Sequence, residues 1–347
     1  MNYDIHADGA SKPQQNMRPL FVLSLYRSGS SLLYTLLNQH SQIGLLYEAD
    51  LPLLDLFLWG QFRNGNWRQR WEFWNQGPSR HGIALDSMPE EVSDVWEATR
   101  IVYQSIARRK GATIWGEKSP RWYDHPLRPA EKFPDASFIF LWRDMHSVMR
   151  SVARAAVTEP SFRKFVTRPA TLLLGNERLR QACDLLKARG RSVHEIDYED
   201  LTSNTTQCMQ EISRFLEIPF EERMTSLEGG DRSAIRPGEI HKLVRSNRIV
   251  GQRRQIEVLP AEVRAKISRY ISFWKLRYAG AWPKYPVEPA ETTQAASSAE
   301  LWRDGALDAA RRGWDLTRMI LLHQVRPVLY PKKYVRPHQI ISPTVQL

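Results

Sequence analysis

Between Pro19 and about Tyr285 the chain alternates short apolar runs with helical patterns, the rhythm of repeated βαβ units. The run LFVLSL at 20–25 predicts a buried strand, and Leu32, Leu33, Leu36 and Leu37 within 30–39 fall on one face of a following helix. Further strands are expected at Ile43–Tyr47, Ala112–Gly116, Ser137–Trp142 and Ser192–Ile196, with SFIFLW at 137–142 the clearest central strand. Helical patterns cover Leu51–Trp59, Pro89–Lys110, Met145–Val157, Pro169–Arg189, Thr205–Leu216 and Pro260–Trp274. Pro89 with Glu90 and Glu91 suits a first helical turn, and Gly111 suits a stop. The fold class expected is α/β: a P-loop-like, mainly parallel sheet flanked by helices on both faces, with a C-terminal helical extension.

The same pattern divides the chain. Residues 1–18 read as a polar, disordered tail, 19–286 as one domain, 287–298 as a linker, and 299–347 as a C-terminal helix and tail. In the region 300–324, Trp302, Ala306, Ala310, Trp314 and Leu321 recur at near-helical spacing with arginines between them. Such a helix docks on the main domain or on a second copy in a homodimer, or lies on a membrane as a peripheral contact.

Composition narrows the class. The 347 residues are 42% hydrophobic and 25% charged, an ordinary globular balance. No run approaches the roughly 20 apolar residues of a membrane-spanning helix. The first nineteen residues carry Asp4 and Asp8 and no apolar block, which argues against a secretory leader. Two cysteines, Cys183 and Cys208, exclude a disulfide scaffold or a cysteine zinc cluster and suit a cytoplasmic setting. A net charge of +11 calls for an anionic partner. Without a zinc-finger, basic-zipper or RNA-recognition signature, a polyanionic small molecule is at least as good an explanation as nucleic acid, and charge alone does not choose between them.

The most informative segment is Leu23-Ser-Leu-Tyr-Arg27-Ser28-Gly29-Ser30-Ser31-Leu32. A strand enters a loop rich in small residues and leaves directly as a helix, whose first N–H groups lack intrahelical acceptors and carry the positive end of the dipole. That arrangement binds phosphate or sulfate, and Arg27 adds a fixed charge with bidentate reach. A plain serine-capped turn is the simpler alternative. The loop lacks the Walker lysine. It resembles the 5′-phosphosulfate loop of sulfotransferases that use 3′-phosphoadenosine-5′-phosphosulfate (PAPS), in the Golgi-type and bacterial form that carries Arg rather than Lys at position 27.

Further segments carry the resemblance. Arg143 ends an apolar strand and Ser151 follows two helical turns later, within Trp142-Arg143-Asp144-Met-His-Ser-Val-Met-Arg-Ser151. The resemblance implies that this pair binds the 3′-phosphate of PAPS. Trp115-Gly-Glu-Lys118-Ser-Pro120 is similar to the segment that sets a lysine beside the sulfonate, Tyr198-Glu-Asp-Leu201 to the block whose tyrosine approaches the adenine, and Ser246-Asn-Arg248 to the late loop over the co-substrate. The resemblance spans roughly Pro19 to Tyr285. It departs from the cytosolic enzymes in lacking the Arg-Lys-Gly triplet of the late loop and the Lys-Thr-His segment with its catalytic histidine.

Another base is therefore needed, within about 3 Å of the attacking hydroxyl. Glu48, at the end of the second predicted strand, is the choice, placed as in tyrosylprotein sulfotransferases and expected beside the phosphate loop in the sheet. A purely structural pairing of Glu48 with a cation is the alternative. Asp50, His125 and His146 are the reserves, His146 being expected on a helix surface. Trp59, Trp67, Trp71 and Trp74 with Phe57, Phe62 and Phe73 suit an acceptor wall or core packing equally. The reading is a metal-independent sulfotransferase acting on a small-molecule, glycan or lipid acceptor, with Arg27 and Lys118 assisting Glu48. A P-loop-type kinase with Asp144 on Mg²⁺, and a non-catalytic nucleotide-binding protein, are the rivals.

Overall fold

The computed structural model describes residues 16–49, 92, 94–235, 242–249, 259–278 and 295–329, with side chains as far as 314 in the last helix. The expected helix at Leu51–Trp59, the aromatic group at 57–74, Asp50, and most of the expected tail and linker lie outside the described residues.

Five strands form one sheet: β1 (Arg18–Ser24), β2 (Ile43–Tyr47), β3 (Ile114–Lys118), β4 (Ser137–Trp142) and β5 (Val193–Asp197). Their order is β2-β3-β1-β4-β5 and every pairing is parallel. Parallel neighbours need crossovers, so helices cover both faces. Alternation along β1 divides the core in two: Phe21 and Leu23 join one apolar cluster, Leu20 and Val22 the other.

The second cluster is covered by α1 (Ser30–Leu37) and by α8 (Thr205–Phe215), which follows α7 (Tyr198–Ser203). The first is covered by α2 (Val95–Arg109), α4 (Met145–Thr158), α6 (Ala170–Ala188) and α10 (Ala261–Tyr278). Short helices α3 (Arg128–Lys132), α5 (Arg163–Thr167) and α9 (Lys242–Arg245) also occur among the described residues, and α11 (Ser298–Leu329) packs on α6 and α10.

Two local details differ from expectation. Helix α2 begins at Val95, six residues past Pro89, because the Asp94 carboxylate accepts from the N–H groups of Trp96 and Glu97 at 2.8 Å. Strand β3 runs two residues further than predicted, through Gly116 to Lys118. Gly116 has φ +143, and a Cβ there would lie 1.9 Å from the Leu20 carbonyl oxygen. It is the close approach of two backbones, more than a strand end, that the glycine serves.

Candidate active site

All loops at the carboxyl edge of this sheet open to one side, because every strand runs the same way. The register pairs Ser24 with Leu141 and Tyr47 with Lys118, so the residues that follow β1 and β4 emerge together, as do those that end β2 and β3. That shared edge collects most of the predicted site.

The loop after β1 bends through two left-handed residues, Arg27 at φ +67 and Gly29 at φ +94. Gly29 is required: a Cβ would sit 2.2 Å from the Tyr198 ring, which closes over the loop. Ser28 and Ser30 are buried at the start of α1, and Leu32 N–H bonds back to the Gly29 carbonyl. Among the described residues four non-glycines have positive φ: Arg27, Glu48, Glu217 and Asn247. Two are predicted site residues and Asn247 lies between Ser246 and Arg248. Such backbone persists only where its surroundings hold it, and it gathers at functional sites.

Arg27 and Arg143 come from different strand ends and meet. Arg143 Nη1 donates to the Arg27 carbonyl at 2.7 Å, and Arg27 Nε donates to Ser151 Oγ at 3.1 Å. The Arg143 guanidinium stacks on the Tyr198 ring, 4.1 Å from its centroid. Thus the loop arginine and the helix serine, which the sequence assigns to opposite ends of a nucleotide, belong to one connected cluster. Burial, together with repulsion from Arg143 and Arg154, lowers the Arg27 guanidinium to about 10 against a smaller pull from Tyr47 and Glu48. Burial also lowers Arg143, with Tyr198, Glu199 and Asp144 opposing it. Arg143 Nε is buried with no hydrogen-bond partner. Crowded, desolvated guanidiniums with a spare donor form a site that an anion would relieve.

On the β3 side, Lys118 Nζ donates to Glu48 Oε1 at 2.7 Å and lies 3.8 Å from the centroid of the Tyr47 ring. Tyr47 Oη is 2.8 Å from Ser31 Oγ. A polar chain therefore runs from the loop serine through Tyr47 and Lys118 to Glu48. Burial alone would pull the Lys118 ammonium down, but Glu48 and Tyr47 more than offset it, and the net direction is upward. Glu48 was expected beside the phosphate loop through its strand, yet β3 separates β2 from β1. It reaches the site through Lys118 and Tyr47 instead.

Other predicted residues fall outside this cluster. Ser246 and Arg248 are exposed in the turn after α9, whose Val244 packs against the α1 side of the sheet. His146 is buried, only 7% exposed, where a helix surface was expected. It sits in the first turn of α4, which Asp144 caps by accepting from Ser147 N–H at 2.7 Å. That cap engages one oxygen of the carboxylate on which the kinase reading relied. His125 follows the 3₁₀ turn at Pro120–Asp124, and burial lowers its imidazole.

Three contributors escaped the sequence reading. Tyr47 could have been suspected as the strand-end neighbour of Glu48. Arg154 lies one turn beyond Ser151 on the same helix face, a spacing visible in the sequence. Glu199 lies inside the Tyr198–Leu201 segment but had no role there; both its carboxylate oxygens are buried without hydrogen-bond partners, and burial raises its carboxyl while Arg143 pulls it back. Below the site, Glu117 is fully buried and accepts from Tyr103 Oη at 2.9 Å and Trp122 Nε1 at 2.8 Å, tying α2 and the following turn to β3.

Comparison with solved structures finds similarity to sulfotransferases. The sulfotransferase domain from the curacin biosynthetic pathway shares 21% identity over 74% of this chain and 98% of its own, with a TM-score of 0.50. The sulfotransferase domain from the Synechococcus PCC 7002 olefin synthase shares 18% over 76% and 98%, with a TM-score of 0.44. A sulfotransferase from Alicyclobacillus acidocaldarius shares 16% over 76% and 95%, also at 0.44. No curated protein matches. A model of the sulfotransferase family matches residues 19–222, taking in both arginine loops, Glu48, Lys118 and Tyr198. With more than half of its length so matched on a parallel α/β sheet of this kind, the chain belongs to the sulfotransferase family.

Proposed function

We propose that the protein transfers the sulfuryl group of PAPS to a hydroxyl, or less often an amine, of a small-molecule, glycan or lipid acceptor. The observation that carries this reading is the meeting of Arg27 and Arg143, with the buried Arg143 Nε left as a donor without a partner. Arg143 is anchored on the Arg27 backbone and its charge helps lower the Arg27 guanidinium, so the two cations of this desolvated loop suit a ligand bearing more than one anionic group.

PAPS supplies an activated sulfuryl group on a nucleotide leaving group. The chain's own residues would do the rest. Backbone N–H groups of Gly29–Ser31 and the Arg27 guanidinium receive the 5′-side oxyanions, where the start of α1 concentrates positive charge. Arg143 and Ser151 select the 3′-phosphate, and Tyr198, already packed over Gly29, offers its ring to the adenine. Lys118 stabilises the negative charge that grows on the departing oxygen. Glu48, whose side chain is 29% exposed while that of Lys118 is 1% exposed, is the member of the pair that an acceptor can reach. It takes the proton from the attacking hydroxyl. Ser246 and Arg248, exposed after α9, would complete the nucleotide side from above.

The test is a thermal-shift titration with 3′-phosphoadenosine-5′-phosphate, adenosine-5′-phosphate, and ATP with Mg²⁺. Clear preference for the 3′-phosphorylated nucleotide, abolished by Arg143→Ala, is expected. Stabilisation by ATP with Mg²⁺ alone would sink the proposal. An enzyme is separated from an inert binder by sulfate transfer from labelled PAPS into a metabolite extract. Binding without any transfer would leave only the nucleotide site.

A further inference from the structure

Helix α11 is amphipathic the wrong way round for a helix on a soluble surface. Its acidic residues face the domain. Asp304 and Asp308 are each 4% exposed, Tyr270 Oη donates to Asp304, and Lys266 lies 2.5 Å from the same carboxylate. Asp308 takes Arg178 at 2.6 Å and Arg311 at 3.1 Å, while Glu300 takes Arg269 at 2.9 Å. The outward face holds Trp302, Arg303, Ala306, Leu307, Ala309, Ala310, Gly313 and Trp314, all exposed. It spans most of one side of the helix at 100° per residue. Trp302, Leu307 and Trp314 are 78%, 63% and 62% exposed, and the face's one charge, Arg303, is positive.

We infer that this face lies on an anionic membrane surface. Two indoles, a leucine and an arginine, with every acid between 300 and 314 turned inward, form the interfacial pattern: apolar area that enters the headgroup boundary and positive charge that attracts anionic lipid. The surrounding charge agrees in sign, since the chain carries +11 overall and Arg318 and Arg326 follow in the sequence of the same helix. A second copy is a poorer occupant. Among the described residues the three large side chains of this face offer about 400 Å², roughly half of what each partner of a stable dimer buries. No helix among the described residues is long and apolar enough to cross a membrane, so the contact lies on the surface.

The full chain should co-sediment with vesicles containing about a third phosphatidylglycerol at low salt, and far less with phosphatidylcholine alone. Trp302→Ser with Trp314→Ser should lower the partition coefficient at least about ten-fold. Arg303→Glu should lower it several-fold and weaken its salt dependence. Both indoles are exposed, so an unchanged melting temperature shows that the double variant still folds. Absence of co-sedimentation, or co-sedimentation that survives the double variant, overturns the inference. Self-association in sedimentation equilibrium that the double variant abolishes also overturns it, by assigning the face to a second copy.

Discussion

Glu48→Gln separates electrostatics from shape at the centre of the site. The side chain keeps its volume while its charge is lost, leaving the Lys118 ammonium, 1% exposed, without its counter-ion at 2.7 Å. Breaking a buried pair from one side costs about 3–5 kcal/mol. Glu48 is 29% exposed and water can partly replace it, which brings the expected loss nearer to about 2–3 kcal/mol. At about 2 °C per kcal/mol for a chain of this size, the melting temperature should fall by about 4–6 °C at neutral pH.

The pH dependence is the sharper signature. In the wild type Lys118 is raised, so its contribution is complete below the unfolded lysine value of about 10.4 and is lost as pH climbs through the folded one. Removing Glu48 takes away the largest upward influence, so the variant lysine falls below its wild-type value. Its penalty is then greatest at neutral pH and fades as pH rises. The stability gap between wild type and variant, from urea titrations at pH 7 to 10.5, should therefore narrow with increasing pH. A Glu48→Gln/Lys118→Met double variant should recover about 1–2 kcal/mol relative to the sum of the single losses. A gap that stays constant or widens with pH would refute the coupling of this pair. Sulfate transfer should fall roughly 10²–10⁴-fold in the single variant if Glu48 is the base; unchanged turnover would remove it from that role.

Gly29→Ala places a methyl at φ +94 against the Tyr198 ring, which must leave its stack on Arg143. Nucleotide affinity by calorimetry should drop at least about ten-fold, whereas Gly190→Ala, with open space around its Cβ, should leave it unchanged. Glu117→Ala strands the Tyr103 hydroxyl and Trp122 indole N–H in the core, at about 1–3 kcal/mol each; urea unfolding should show a loss of about 3–5 kcal/mol, and a smaller one for Glu117→Gln. Burial would raise the Asp304 carboxyl, but hydrogen bonds from Lys266 and Tyr270 lower it overall. Its support for α11 is thus present above the ordinary aspartate value of about 3.9 and is lost as pH falls through the lower, folded one. Pepsin should begin to cut within α11 below about pH 4, and near pH 5 in no case earlier than in the rest of the domain.

Much of this fold is legible in the sequence, since strand and helix identity depends on neighbours a few residues apart. The run SFIFLW was expected as β4 and spans it residue for residue, and the α1 leucines predict the face that is buried. The two arginine loops could be read because each is a local unit: an apolar strand, a short polar turn, a helix start. Strand order is another matter. That β3 inserts between β2 and β1, so that Glu48 enters through Lys118 and Tyr47, follows from pairings some 70 residues apart along the chain, which no local pattern encodes. The same holds for Glu117, whose charge in the core makes sense only once Tyr103 and Trp122 converge on it. In α11, the spacing of tryptophans announced an amphipathic helix but not which side would face the protein. That depended on Arg178, Lys266 and Arg269 standing on α6 and α10 to receive its acids, because a charge is buried only where a partner has been brought to meet it.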